Sequence, residues 1–200
     1  MTVTEAKEKL LAVARQEIGY HEGYDNYIKY AEGTWDNIFY GWDLQNQPWC
    51  DVFVDWCFCT AFGIQKGAAM TYQTIGGGSA LCSTSASFYS SHGAFFGCPE
   101  VGDQIFFYAG GGINHTGIVE IVSETSVTTI EGNTSDQVAR RVYSRNDGTI
   151  AGFGRPRWEL ISDASDDDTS IDPITPEPVM FILRKGSVGI EVQQLQEKLI

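Results

Sequence analysis

Five cysteines and three histidines are the side chains of this 200-residue chain best suited to nucleophilic chemistry near neutral pH. Cys50 stands apart by its position. It follows Pro48-Trp49 at the head of PWCDVFVDWCFCTAFG, where Pro48 suits a helix start and Gly63 its stop. Unpaired N–H groups and the helix dipole at such a start hold sulfur as thiolate. Acyl transfer by a thiolate also needs an imidazole within reach and a group that orients the ring. His115 begins a predicted strand whose alternate residues, Gly117, Val119 and Ile121, share its face. Glu131 and Asn133 end the next strand and share a face with each other. An odd connection such as Ser123-Glu124-Thr125 sets Asn133 across from His115 and Glu131 on the diagonal. An even one turns both to the wrong side.

The other candidates carry less. Cys57 and Cys59 read as core thiols, and a Cys82–Cys98 disulfide stays open. The cysteine spacings do not form a zinc pattern, and Asp25, Asn26 and Asp36 do not match a calcium loop, so neither metal nor cofactor is expected. His21 and His92 read as surface residues. The backbone N–H of Cys50 is expected in an oxyanion hole, with Gln45 or Gln47 as second donor. Asp51, beside the sulfur, is expected to face away from it and favour the helix dipole.

The elements that must position these groups follow from periodicity. Ala6, Leu10, Ala14 and Ile18 mark a helix over 4–18 with Thr4 as cap. Residues 20–47 read as an aromatic loop that supplies core and groove wall, with Trp35 and Trp42 available for sugar stacking. The Cys50 segment is apolar around much of its surface, as a buried central helix would be. Residues 64–80 end in GGGSA, and a short helix is expected over 83–92. The period then changes to strands near 103–109, 113–122 and 126–131, with two more within 138–144 and 151–158. Helices first and an antiparallel meander afterwards imply an α+β domain. Residues 162–179 form an acidic, Pro-containing linker, and 180–200 begin a new helical pattern. The net charge is −13, with 10 Lys and Arg against 18 Asp and Glu up to residue 161 and no basic cluster. Nucleic acid is therefore an unsuitable partner, and no apolar stretch approaches a membrane span.

The order WCDVFVDWC, VGDQIFF, NHTGIVE, TIEGNTS resembles the CHAP family, the cysteine, histidine-dependent amidohydrolases/peptidases of the papain-like superfamily. The likeness covers roughly residues 4–158, and ARQEIGYHE is similar to a subgroup in phage and bacterial cell-wall enzymes. It implies N-terminal helices, one bearing the nucleophile, packed on an antiparallel sheet of five to six strands. It implies Cys50 as nucleophile, His115 as general base, Glu131 as orienting carboxylate and Asn133 assisting. The implied substrate is bacterial peptidoglycan, cut at an amide bond by a monomeric amidase or endopeptidase. Asp51 departs from the small residue many relatives carry there. LRKGSVGIEVQQLQEKL resembles the start of a peptidoglycan-binding helical domain. The chain thus divides into 1–161 (catalytic), 162–179 (linker) and 180–200 (truncated binding domain). The N-terminus has no apolar signal core, which fits cytosolic synthesis with holin-type release, or a leader already removed. A wall-binding module with a decayed site and an NlpC-type peptidase are the competing readings.

Overall fold

The computed structural model describes residues 1–32 and 35–162. The expected linker beyond Ser162 and the C-terminal segment lie outside the described residues.

Helix α1 (Val3–Gln16) starts one residue before the expected 4–18 helix and ends two residues earlier. Thr2, not Thr4, caps it: the Thr2 hydroxyl accepts from the Glu5 N–H at 3.2 Å, and the Glu5 carboxylate accepts from the Thr2 N–H at 2.7 Å. This reciprocal pair satisfies two donors at once, which a cap at Thr4 would not do. Ala6, Leu10, Leu11 and Ala14 bury the inner face, while Ile18 lies beyond the helix end and is exposed.

The aromatic segment is more ordered than a loop. It holds two short 3-10 turns and a helix, α2 (Trp35–Tyr40). Six residues are too few to show a helical period in sequence. Tyr30 packs against Trp49, Phe53 and Trp56 with ring centroids 5.0–5.5 Å apart.

Helix α3 (Cys50–Phe62) is the expected central helix, and ten of its thirteen residues are buried. Gly63, at φ 81°, stops it. Helix α4 (Ile64–Met70) follows directly, in a stretch for which no element was expected. Gly67 explains the tight turn-back, because a Cβ there would lie 2.8 Å from the Cys59 nitrogen. Helix α5 (Cys82–Ser91) matches the predicted short helix.

The sheet has six antiparallel strands: β1 (Phe95–Phe96), β2 (Gln104–Ala109), β3 (Gly112–Val122), β4 (Ser126–Glu131), β5 (Ala139–Ser144) and β6 (Ile150–Gly154). Strands β2 to β5 form the predicted meander; β6 returns beside β2, and the unpredicted β1 caps that edge, giving the order β1-β6-β2-β3-β4-β5. A final short helix, α6 (Glu159–Ser162), ends the described part. The chain is α+β, as expected. Ile118 and Ile130 join the main core around α3, while Val119, Val127, Ile105, Phe107 and Phe153 form a second cluster. Sheet alternation places these two sets on opposite faces.

Candidate active site

The register between β3 and β4 decides whether Glu131 can reach His115. The connection closes between Ser123 and Ser126, with the Ser123 N–H donating to the Ser126 carbonyl at 2.9 Å around Glu124-Thr125. That turn is even, not the odd one that matching faces required. A one-residue β-bulge repairs the phase: the pairing passes from Ile121 opposite Thr128 to Val119 opposite Thr129, with Glu120 as the extra residue. Beyond the bulge Ile118 pairs with Ile130, and the same register continued sets Glu131 opposite Gly117. The expected diagonal placement of Glu131 to His115 is therefore reached by a different route. The bulged Glu120 is itself fixed: its carboxylate accepts from Arg15 at 2.7 Å and from Arg140 at 2.5 and 2.8 Å.

Gly117 makes room for the carboxylate. A Cβ at that position would lie 2.5 Å from Glu131 Cγ and 2.9 Å from the Ile130 carbonyl. The Glu131 side chain crosses this gap to His115, where Nε2 and Oε2 are 2.8 Å apart. The carboxylate is fully buried. It also accepts from the Thr129 hydroxyl at 2.5 Å and from the Tyr143 hydroxyl at 3.3 Å. These two residues were not singled out in sequence, although the period of two already put Thr129 on the face of Glu131. The His115 ring packs against Phe107, 5.8 Å between centroids. With Nε2 committed to Glu131, Nδ1 is the nitrogen left for sulfur.

Cys50 is the first residue of α3 and is 6% exposed. Its sulfur lies 3.4 Å from that of Cys82, the first residue of α5. The thiol is drawn down to about 5, first by the hydrogen bond with Cys82 and then by His115 and the Asp51 amide, against the opposing effect of burial. His115 is raised to about 9: burial alone would lower it, but its bonds to Cys50 and Glu131 outweigh that. His115 is thus tied to Glu131 by a hydrogen bond, and its interaction with Cys50 favours the charged form of both groups. The Cys82–Cys98 disulfide that the sequence left open is not formed: all five cysteines are free, and Cys98 is exposed.

Asn133 is not brought into that arrangement. β4 ends at Glu131, and Asn133 turns away in the left-handed region at φ 53°. Among the described residues its side chain makes no hydrogen bond to Cys50, His115 or Glu131. Gly132 between them is pressed against α3, where a Cβ would meet Phe53 at 2.5 Å. Any side chain at position 132 would therefore clash with α3, at the point where the chain leaves the strand path.

Asp51 points inward rather than out to the dipole. It is fully buried and accepts from the Ser85 hydroxyl at 2.6 Å and from the Gln104 amide at 2.9 Å. One turn on, Asp55 accepts from the Tyr40 hydroxyl at 2.7 Å and from the Gln73 amide at 2.8 Å. Burial raises both carboxyls, Asp55 to about 7 and Asp51 well above its ordinary value, with Asp55 adding to the rise of Asp51. The departure at position 51 is thus a structural tie between α3, α5 and β2.

A cavity of about 240 Å³ opens over the sulfur, lined by Trp42, Gln47, Pro48, Cys50, Cys82 and Asn114 among others. Trp42 is 50% exposed there, whereas the Trp35 indole is tied to the Tyr30 carbonyl at 2.6 Å. Gln45 is also committed elsewhere: its amide bonds both the N–H and the carbonyl of Ile28. That leaves Gln47 as the glutamine at the sulfur. His21 and His92 are exposed, as expected, and His92 stacks on Tyr72. Among the described residues no group of three His, Cys, Asp or Glu is arranged to hold a metal ion, and no helix is long and apolar enough to cross a membrane.

Residues 41–133 match the family model of the CHAP domain. The matched stretch contains Cys50, His115 and Glu131 and ends on Asn133. Three solved structures are similar in backbone. The crystal structure of Ly7917 is 16% identical, with 79% of this chain and 63% of that one covered and a TM-score of 0.46. The peptidoglycan hydrolase RipB from Mycobacterium tuberculosis is 16% identical, with 76% and 65% covered and a TM-score of 0.41. PlyC is 21% identical, with 74% and 35% covered and a TM-score of 0.41. The chain spans less than two thirds of the length of each. No curated protein matches it.

Proposed function

We propose, starting from a chain whose residues 41–133 form a CHAP domain, that it is a hydrolase of amide bonds in bacterial peptidoglycan with Cys50 as nucleophile. The observation that carries this reading is the hydrogen bond of His115 to the buried Glu131, together with Cys50 at the cavity beside Trp42 and Gln47, its thiol lowered in part by His115. The papain-like arrangement, a helix start facing an antiparallel sheet, supports it.

In this reading Cys50 and His115 rest as thiolate and imidazolium. Sulfur attacks the carbonyl carbon of a wall-peptide amide, and the carbonyl oxygen takes the negative charge. The Cys50 backbone N–H, unpaired at the helix start, and the Gln47 amide stabilise that oxyanion. Collapse of the intermediate breaks the C–N bond, and His115 delivers its proton to the leaving amine. Neutral His115 then takes a proton from water, whose oxygen attacks the thioester and releases Cys50 and the acid. Glu131 keeps the ring oriented throughout and favours its charged form. Trp42 offers an exposed aromatic face for a glycan ring at the cavity edge. Asn133 holds the turn that follows Glu131 rather than touching substrate.

Whether the cut falls between muramic acid and L-alanine or within the peptide is answered by digesting purified walls and identifying the new termini by mass spectrometry. Release of new amino termini from walls by the wild type, and none by Cys50→Ala, is the expected result. Wall clearance that survives Cys50→Ala would overturn the proposal. Binding to walls without any released peptide would favour the non-enzymatic module instead.

A further inference from the structure

The Cys50–Cys82 contact is not required by amide hydrolysis, which needs only one sulfur. Several ties hold the two thiols together. Each is the first residue of its helix, so two helix starts converge on one point. Next to them, the Ser85 hydroxyl of α5 bonds the Asp51 carboxylate of α3 at 2.6 Å, which fixes the distance between the helices. Cys50, Cys82, Ala86, Tyr89 and Phe106 share one buried cluster. Both sulfurs nevertheless line the open cavity, so a small oxidant reaches them from solvent. Cys57 and Cys59 are buried farther along α3, and Cys98 is exposed and free.

We propose that Cys82 is the resolving cysteine for Cys50, so that a peroxide closes a reversible Cys50–Cys82 disulfide that switches the enzyme off. The inference rests on the reading of Cys50 as the reactive thiolate. In the first step the thiolate attacks one oxygen of the peroxide; Cys50 becomes a sulfenic acid, and hydroxide leaves when the oxidant is hydrogen peroxide. In the second, the Cys82 sulfur attacks the sulfenic sulfur, the S–S bond forms, and the departing hydroxyl leaves as water with the Cys82 proton. To bond, the two sulfurs close from 3.4 Å to bonding distance, a shift of roughly 1.4 Å. While Cys50 is a thiolate it holds the proton on Cys82, whose thiol is raised by that bond first and by burial second. Oxidation of Cys50 to a neutral sulfenic acid removes that hold, which eases loss of the Cys82 proton as its sulfur attacks. A disulfide leaves no lone nucleophile facing the cavity, and a dithiol restores it. Without a resolving thiol, the sulfenic acid proceeds to sulfinic acid, which a dithiol does not reverse.

The test exposes the reduced full-length protein to a small excess of hydrogen peroxide, blocks remaining thiols, and maps the products by tandem mass spectrometry. A cross-link between Cys50 and Cys82 with loss of about 2 Da is expected. Wall hydrolysis should fall at least about tenfold and return on adding dithiothreitol. Cys82→Ser and Cys82→Ala, each compared with its own untreated activity, should instead lose activity irreversibly and gain about 32 Da on Cys50. If wild type goes directly to the sulfinic acid, or Cys82 links to Cys98, the inference is overturned. If either serine or alanine variant fails to fold, the wild-type cross-link map still decides. A failed nucleophile reading shows up separately, as wall clearance that persists in Cys50→Ala.

Discussion

Cys50 and Cys57 stand two turns apart on helix α3 and are both buried, yet their thiols are shifted in opposite directions. Cys57 has only burial and negative neighbours around it, and its thiol is raised well above the ordinary value. Cys59 is raised for the same first reason. Cys50 is almost as buried but is lowered to about 5. The difference is what faces the sulfur. In the helix interior every N–H is already spent on a carbonyl one turn back, so the thiolate would find no donor. At the first turn the amide of Asp51 is unspent, and Cys82 and His115 add two more donors. Burial without donors disfavours the thiolate, whereas burial with donors can favour it.

The largest break in this comparison is exchange of the two sulfurs' fates by mutation. Cys50→Ala should reduce wall hydrolysis by at least about 10⁴-fold while leaving folding intact. Cys57→Ala should leave turnover nearly unchanged and cost about 1–2 kcal/mol in urea denaturation through the cavity it opens. Steady-state assays and melts of both variants check this pair.

Next in size is the orienting hydrogen bond. Glu131→Gln should lower kcat on the order of 10²–10³-fold, because a neutral amide no longer favours the imidazolium. The rate–pH profile gives the sign. Wild type should be bell-shaped, losing activity below about 5 as sulfur protonates and above about 9 as His115 loses its proton. In Glu131→Gln the upper limb should move to lower pH while the lower limb moves little. An upper limb that stays in place would remove Glu131 from this role.

A smaller loss is expected from Gly117→Ala. The added methyl meets Glu131 Cγ at 2.5 Å and displaces the carboxylate from His115. Turnover should drop roughly tenfold to a hundredfold, with KM little changed, since the cavity lining is untouched.

The smallest effect concerns Asp51, the sulfur's sequence neighbour. Burial and Asp55 hold its carboxyl toward the neutral form, so Asp51→Asn should keep activity within about threefold and leave the lower pH limb in place. Asp51→Ala should instead destabilise the fold by about 1–3 kcal/mol, because Ser85 and Gln104 lose their acceptor. Thermal and urea melts separate the two.

Much of this arrangement was legible residue by residue. The buried helix behind Pro48-Trp49, the strand with His115 and the strand ending at Glu131 all announce themselves by period and punctuation, because those signals are local. The elements that escaped were short ones, α2, α4 and β1, which are held by contacts far away in sequence rather than by their own pattern. Asn133 escaped in the opposite sense: EGN continues the strand alternation on paper, but β4 ends at Glu131 and Asn133 takes the left-handed region at φ 53°.

The sequence by itself determined which groups can do the chemistry and in what order they arrive, since side-chain type and local periodicity need no partner. Three matters belonged to the tertiary structure alone. One is the bulge at Glu120, anchored by Arg15 and Arg140, that turns an even hairpin back into phase. Another is the inward turn of Asp51 onto Ser85 and Gln104. The last is the meeting of Cys50 with Cys82, thirty-two residues apart and 3.4 Å between sulfurs. Each depends on how separate elements pack, and packing is set by the sum of many long-range contacts that no single stretch of sequence displays.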